Sequence, residues 1–268
     1  MIAARNRNRP ERSRSGAHDA MNLIILTEHD RVGGETFRLA AQRADHLRTV
    51  LRATEGDLVQ VGLLNGPCGT ARVARLAADE ALLDCRWTAP PPAPVPTVDL
   101  ICALPRPQTL KKILFAAAMM GVRRLHLVRA RRVERSYFSS PLLNPEQYTP
   151  HLIEGLSQGR LTRLPEVAVH DRFRRFFEDI LPVLEQNESA PSLRLAPHPG
   201  AAAMLDAVYR GDSPRLLAAV GPEGGWVPFE VELLTSLGFR AFSLGRFTLR
   251  VEHAVTAVLS QIELLAPR

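Results

Sequence analysis

Apolar positions along this chain fall into two regimes. In the first, short apolar runs are separated by turn residues. Residues 23–26 form one such run, and over residues 43–51 Ala44, Leu47, Val50 and Leu51 recur at helical spacing. Glu55-Gly56-Asp57 and Asn65-Gly66-Pro67 are turns, and residues 58–64, 69–76 and 80–87 read as strands around them. The pattern predicts a small, mostly β unit with one short helix over residues 21–89. Residues 90–97, with Pro90, Pro91, Pro92, Pro94 and Pro96, predict an extended, semi-rigid linker.

In the second regime, residues 98–268, strands alternate with helices. Strands are predicted at 98–104, 124–128, 167–169, 193–196, 216–220 and 241–244. Helices are predicted at 107–120, 146–158, 173–184, 227–237 and 251–265, with a weakly helical stretch at 201–209. The helix over 107–120 carries Leu110, Ile113, Leu114, Ala117 and Ala118 on one face and is closed by Gly121. Such alternation predicts an α/β domain with a largely parallel sheet.

Two of these strands run into glycine loops, Gly221-Pro222-Glu223-Gly224-Gly225 and Leu244-Gly245. Glycine lets backbone groups approach a ligand closely, so the two loops predict a pocket at the sheet edge. The spacing is neither the dinucleotide nor the phosphate-loop pattern. A tight strand–helix turn, with Pro228 opening the next helix, accounts for the first loop equally well. For the second loop, Glu252 suits the positive end of the last helix, so capping is again an alternative.

Composition changes the picture modestly. In 268 residues, 46% are hydrophobic, enough for a sizeable core. A net charge of +6 and a pI near 9.9 suit a polyanionic partner, nucleic acid first. Cys68, Cys85 and Cys102 form neither a disulfide framework nor a zinc pattern, so a reducing compartment and no metal are expected. No apolar run has the length of a membrane span or of a signal peptide, so the expected location is the cytoplasm. Residues 1–20, with Arg5, Arg7, Arg9, Arg12 and Arg14, read as a disordered basic tail ahead of an alternative start at Met21.

The segment from Val220 to Trp226, with Glu230, Leu244-Gly245, Leu249-Arg250 and Glu252, resembles the C-terminal motifs of the ribosomal RNA small subunit methyltransferase E family, of the SPOUT class. Leu195, His198 and Pro199 resemble its strand-end His-Pro segment, residues 105–122 its lysine-bearing helix, and residues 132–136 its Glu-Arg-Ser stretch. Glu154, Gln158, Arg163 and Pro165 fall on its spacing. In the first unit His46-Leu47, Val50-Leu51-Arg52 and Gly56-Asp57 resemble its PUA-like RNA-binding module. Departures fall at Phe247, where the family usually has arginine, His253 (threonine), Met119 (glutamate) and Leu161 (arginine).

The resemblance implies an N-terminal PUA-like β-barrel and a C-terminal SPOUT α/β domain with a trefoil knot. It implies S-adenosyl-L-methionine as donor, held by Leu195, His198, Gly221, Pro222, Glu223, Gly224, Gly225, Leu244, Gly245, Leu249 and Arg250. The implied reaction is methylation of N3 of a uridine in small-subunit rRNA. Arg250 is then the cation favouring the uridine anion. Glu223 and Glu252 are candidate bases or loop-holding carboxylates, and His198 a third candidate. His46, Arg52, Arg124, Arg131, Arg132, Arg135 and Arg163 would contact RNA, as free rRNA or in the 30S subunit. A homodimer is implied, with the apolar side of residues 251–265 contributing to it. Phe247, His253 and Met119 motivate two alternatives: an RNA-binding module that has lost catalysis, and a methyltransferase for another RNA base.

Overall fold

The computed structural model describes residues 22–91 and 93–267, so the basic tail lies outside the described residues. In the N-terminal unit, β1 (Ile24–Leu26), β2 (Arg31–Gly33), β3 (Thr36–Ala40), α1 (Ala41–Thr49), β4 (Leu58–Leu63), β5 (Cys68–Leu76) and β6 (Glu80–Trp87) follow in chain order. They form one mixed sheet in the order β1-β4-β5-β6-β3-β2, with β1 parallel to β4 and the other pairs antiparallel. Inward positions such as Phe37, Leu39, Val59, Val61, Val73 and Leu83 alternate along the strands and bury Leu47 of α1. The β2–β3 hairpin was not among the predicted elements. Val32 is exposed and β2 has only three residues, too few to display a period.

The C-terminal unit contains β7 (Thr97–Ala103), α2 (Pro107–Met119), β8 (Arg124–Val128), α3 (Pro145–Gly159), β9 (Glu166–His170), α4 (Phe173–Arg175), a π-helical turn (Phe176–Ile180) and α5 (Leu181–Gln186). It continues through β10 (Leu193–Pro197), α6 (Leu205–Val208), β11 (Arg215–Val220), α7 (Pro228–Ser236), β12 (Arg240–Phe242) and α8 (Val251–Leu265). All six strands are parallel, in the order β12-β10-β11-β7-β8-β9. Every residue of β11 is buried, as its unbroken apolar run requires in a sheet covered on both faces. The predicted helix over 173–184 is interrupted by the π turn, and the weak helix over 201–209 shrinks to the single turn α6.

This topology positions the functional end of the molecule. β12, β10 and β11 are neighbours, so the loops leaving their C-terminal ends meet. At the other end of the sheet a partly buried ionic cluster, with Asp99 and Arg215 buried, gathers at the strand starts. Arg123 Nη2 lies 2.6 Å from Asp99 Oδ2, and Arg215 Nη2 lies 3.6 Å from the same oxygen. Arg124 Nη1 lies 2.5 Å from Glu188 Oε1. Arg124, expected as an RNA contact, is held here in ion pairs within the scaffold.

The two units are joined by direct hydrogen bonds. The Leu23 N–H donates to the Ser157 carbonyl (2.9 Å), and Ser157 Oγ donates back to the Leu23 carbonyl (2.6 Å). The Asn65 N–H donates to the Thr162 carbonyl (2.7 Å), and the Leu164 N–H donates to Asn65 Oδ1 (2.9 Å). Leu23 and Ile25 are buried in the core of the parallel-sheet unit.

Candidate active site

A cavity of about 580 Å³ opens where the three loops converge. Pro197, His198 and Pro199 come from the end of β10, residues 220–226 from the end of β11, and Leu244, Gly245 and residues 247–251 from beyond β12. The loops are tied to one another: the His198 N–H donates to the Phe242 carbonyl (2.8 Å) and the Ser243 N–H to the Ala203 carbonyl (2.7 Å).

Local sequence explains each loop. The Gly225 N–H donates to the Pro222 carbonyl (2.8 Å), closing a turn that leaves Glu223 and Gly224 exposed. Trp226 folds back under Gly221, where an added Cβ would meet the indole at 3.2 Å. The indole is buried, and its Nε1 has no hydrogen-bond partner among the described residues. In the other loop, Gly245 has a φ of +127°, a region side-chain-bearing residues rarely enter. Ser243 Oγ accepts the Gly245 N–H (3.2 Å) and donates to the Gly245 carbonyl (3.0 Å), fixing that turn. Ser243 was not among the expected site residues; a serine two positions before a turn glycine was the available signal.

Ten of the eleven expected donor contacts line the cavity: His198, Gly221, Pro222, Glu223, Gly224, Gly225, Leu244, Gly245, Leu249 and Arg250. Leu195 does not, being buried within β10. Arg132, expected only as an RNA contact, lines it too and donates from Nη1 to the Gly224 carbonyl. Arg131 and Arg135 are exposed in the same loop after β8. His46 and Arg52 are exposed on the N-terminal unit, and exposed Arg163 lines a separate cleft between the units. These residues form no single site with the cavity.

Glu252, a candidate base or loop-holding carboxylate, stands apart from the cavity. It is buried, does not line the cavity, and pairs with Lys112 Nζ at 3.1 Å in a shallow groove between α2, α3 and α8. A hydrogen bond from its own backbone N–H, and then Lys112, holds its carboxyl below the usual range against the opposing effect of burial. Its place in the first turn of α8 and its ion pair suit the loop-holding role rather than that of a base. The four departures also separate. Phe247 lines the cavity, Met119 and His253 line the Lys112–Glu252 groove, and Leu161 lines the inter-unit cleft.

The donor set is unlike a metal site: among the described residues no group of three or more His, Cys, Asp or Glu is placed to hold an ion. Glu223 is the one carboxylate among the lining residues, Arg132 and Arg250 the cations. Size, apolar walls and backbone-rich loops suit a nucleoside-sized ligand.

A family model described as an RNA methyltransferase domain matches residues 91–263. Ribosomal RNA small subunit methyltransferase E of Treponema pallidum (strain Nichols) is 31% identical over 252 residues, covering 90% of each chain. The chain belongs to the ribosomal RNA small subunit methyltransferase E family. A second member, from Synechocystis sp., is 25% identical over 96% of this chain and 82% of its own. Among solved structures, a ribosomal RNA small subunit methyltransferase E from Neisseria gonorrhoeae bound to S-adenosyl methionine is 22% identical and superposes with a TM-score of 0.69 over 91% of this chain and 98% of its own. A putative methyltransferase from Legionella pneumophila, in complex with the same cofactor, gives 0.69 at 19% identity over 91% and 98%. These neighbours share the fold: the two-unit architecture implied by the resemblance is the one observed.

Proposed function

We propose that this protein transfers a methyl group from S-adenosylmethionine to N3 of a uridine in small-subunit rRNA. One observation carries the reading: in a chain of this family, the loops of three adjacent parallel strands enclose one cavity with two arginines in its wall. The donor fits that cavity in kind. Close-approach glycines would admit its ribose and methionine against the backbone of the loop after β11.

S-adenosylmethionine supplies an electrophilic methyl on a sulfonium, a leaving group that needs no acid. The protein's own task is to hold the uracil in line and to remove the N3 proton. Arg250 is exposed and its guanidinium has no hydrogen-bond or ion-pair partner among the described residues, so it is free to stabilise a developing uridine anion. His198 is poorly suited as base. Its Nδ1 accepts the Gly200 N–H (3.1 Å), so the neutral ring carries its proton on Nε2 and presents a donor. Exposed Glu223 is left as the acceptor of the N3 proton.

Arg131, Arg132 and Arg135 would contact phosphates beside the cavity, with His46, Arg52 and Arg163 extending the footprint across the N-terminal unit. The protein would act in the cytoplasm as a homodimer. The apolar side of α8 is used within the monomer, since Val251, Val255, Val258, Leu259 and Ile262 are all buried. A dimer contact there would use its outer side. The reading as a binding module without catalysis draws on Phe247, His253 and Met119, of which only Phe247 touches the cavity.

Nucleoside mass spectrometry of small-subunit rRNA from a deletion strain tests the proposal. The expected result is loss of 3-methyluridine, restored by purified protein and S-adenosylmethionine. Unchanged 3-methyluridine would overturn it.

A further inference from the structure

Phe247 occupies a position that packing does not explain. It is 69% exposed, on the loop between β12 and α8, and yet its ring borders the donor cavity. Arg246 lies over the ring, with its guanidinium carbon 4.8 Å from the centroid. One face of the phenyl is thus backed by a cation, and the remaining exposure leaves the other open. Leu249, itself 39% exposed, continues the apolar rim. Gly245, with its φ of +127° held by Ser243 Oγ, sets the direction in which Arg246 and Phe247 leave the strand.

The chemistry of this rim matches a nucleobase. A base delivered to a recessed methyl donor must leave its stack, and it loses stacking on both faces in doing so. Its neighbour in the strand loses one stacked face as well, and an exposed aromatic face at the entrance replaces that contact, as aromatic side chains do for single-stranded RNA. Arg246 lies over the ring, and Arg132 and Arg250 line the same cavity, so the positive charge suits the flanking phosphates and disfavours an apolar protein partner. Phe247 sits at the rim and not on the floor, so the base it meets is at the entrance, beside the nucleotide that reaches the donor.

We propose that Phe247, backed by Arg246, is a stacking platform for a nucleobase of the RNA substrate at the mouth of the donor cavity. The inference rests on the methyltransferase reading for the identity of the ligand, but its test does not require turnover.

The variants Phe247→Tyr, Phe247→Leu and Phe247→Ala separate a planar face from mere bulk. Binding of a fluorescein-labelled short oligouridylate is measured by anisotropy with S-adenosylhomocysteine present, and KM and kcat are measured on small-subunit rRNA. Loss of one base stack predicts an affinity reduced by about fivefold to a hundredfold for Leu and Ala, with KM rising in parallel, and Tyr within about twofold of the parent. Donor affinity by calorimetry stays within about twofold for all three. Parental RNA affinity and KM in the Leu and Ala variants would overturn the proposal. So would a loss of donor affinity as large as the loss of RNA affinity, which would make Phe247 part of the donor site. Phe247 is on an exposed loop, and circular dichroism of each variant checks that the fold is intact. If the parent binds the oligonucleotide in a Phe247-dependent way without methylating rRNA, the stacking site stands and the methyltransferase reading fails.

Discussion

Glu230 accepts the backbone N–H of Arg131 at 2.7 Å through Oε1, while its Oε2 accepts the N–H of Val227 at 2.9 Å. The carboxylate is fully buried in the first turn of α7. It ties the arginine-bearing loop after β8 to the glycine loop after β11. Both walls of the cavity on this side depend on one side chain.

Glu230→Ala would leave two backbone donors without acceptors in a buried site. The expected loss is about 3 kcal/mol of unfolding free energy, read from urea denaturation at unchanged m-value. Glu230→Gln keeps one acceptor oxygen and is expected to lose about 1–2 kcal/mol. Donor affinity should fall in both, more in the alanine variant.

Arg250→Ala removes a cavity-wall guanidinium that has no partner among the described residues. A hundredfold-scale loss, about 10²-fold in the single-turnover rate, is expected for a group acting on developing charge. Donor affinity by calorimetry should change by no more than about threefold, because the effect belongs to the acceptor. An unchanged rate would remove Arg250 from the mechanism.

Gly245→Ala isolates backbone conformation from sterics, since nothing lies within 4 Å of where its Cβ would sit. The strain at φ +127° alone is expected to cost about 1–3 kcal/mol, as stability or as weakened donor binding. Gly221→Ala acts differently, by pressing on the Trp226 indole at 3.2 Å, and should shift tryptophan fluorescence as well as donor affinity.

Acid sensitivity should arise in two stages. Burial, then the adjacent His170, pushes the pKa of His126 down from 6.5 to about 4; its Nδ1 lies 3.2 Å from His170 Nε2. The unfolded chain therefore binds more protons, and stability falls as pH drops from about 6.5 to 4, by about 3 kcal/mol. Glu188, held down from 4.5 to about 2 chiefly by the hydrogen bond from Arg123, adds a further loss as pH falls between those values. In His126→Gln the slope of stability against pH should flatten in the upper window and persist in the lower. Denaturation midpoints measured across both windows check this.

Much of this architecture is written locally. The change from turn-punctuated strands to strand–helix alternation near residue 97 is visible because side-chain periodicity is a property of neighbouring residues. The two glycine loops are equally legible, since the left-handed conformations at Gly225 and Gly245 are requirements of single residues. Meeting these requirements says where a ligand can approach, and the family motifs say which ligand to expect.

What the sequence alone could not decide is which side chains face one another. Arg124 and Arg132 belong to one dense basic run, but β8 carries the chain across the sheet between them, at about 3.3 Å per residue. Arg124 ends in an ionic cluster at the strand starts, and Arg132 over the glycine loop at the strand ends. Arg250 and Glu252 are two residues apart, but α8 begins between them, and a helix turns side chains by about 100° per residue. One therefore lines the cavity while the other pairs with Lys112 in a different groove. Sequence distance fixed the elements, and the packing of those elements fixed the site, because only three-dimensional contact determines which charge is buried, which is paired and which is left free to act.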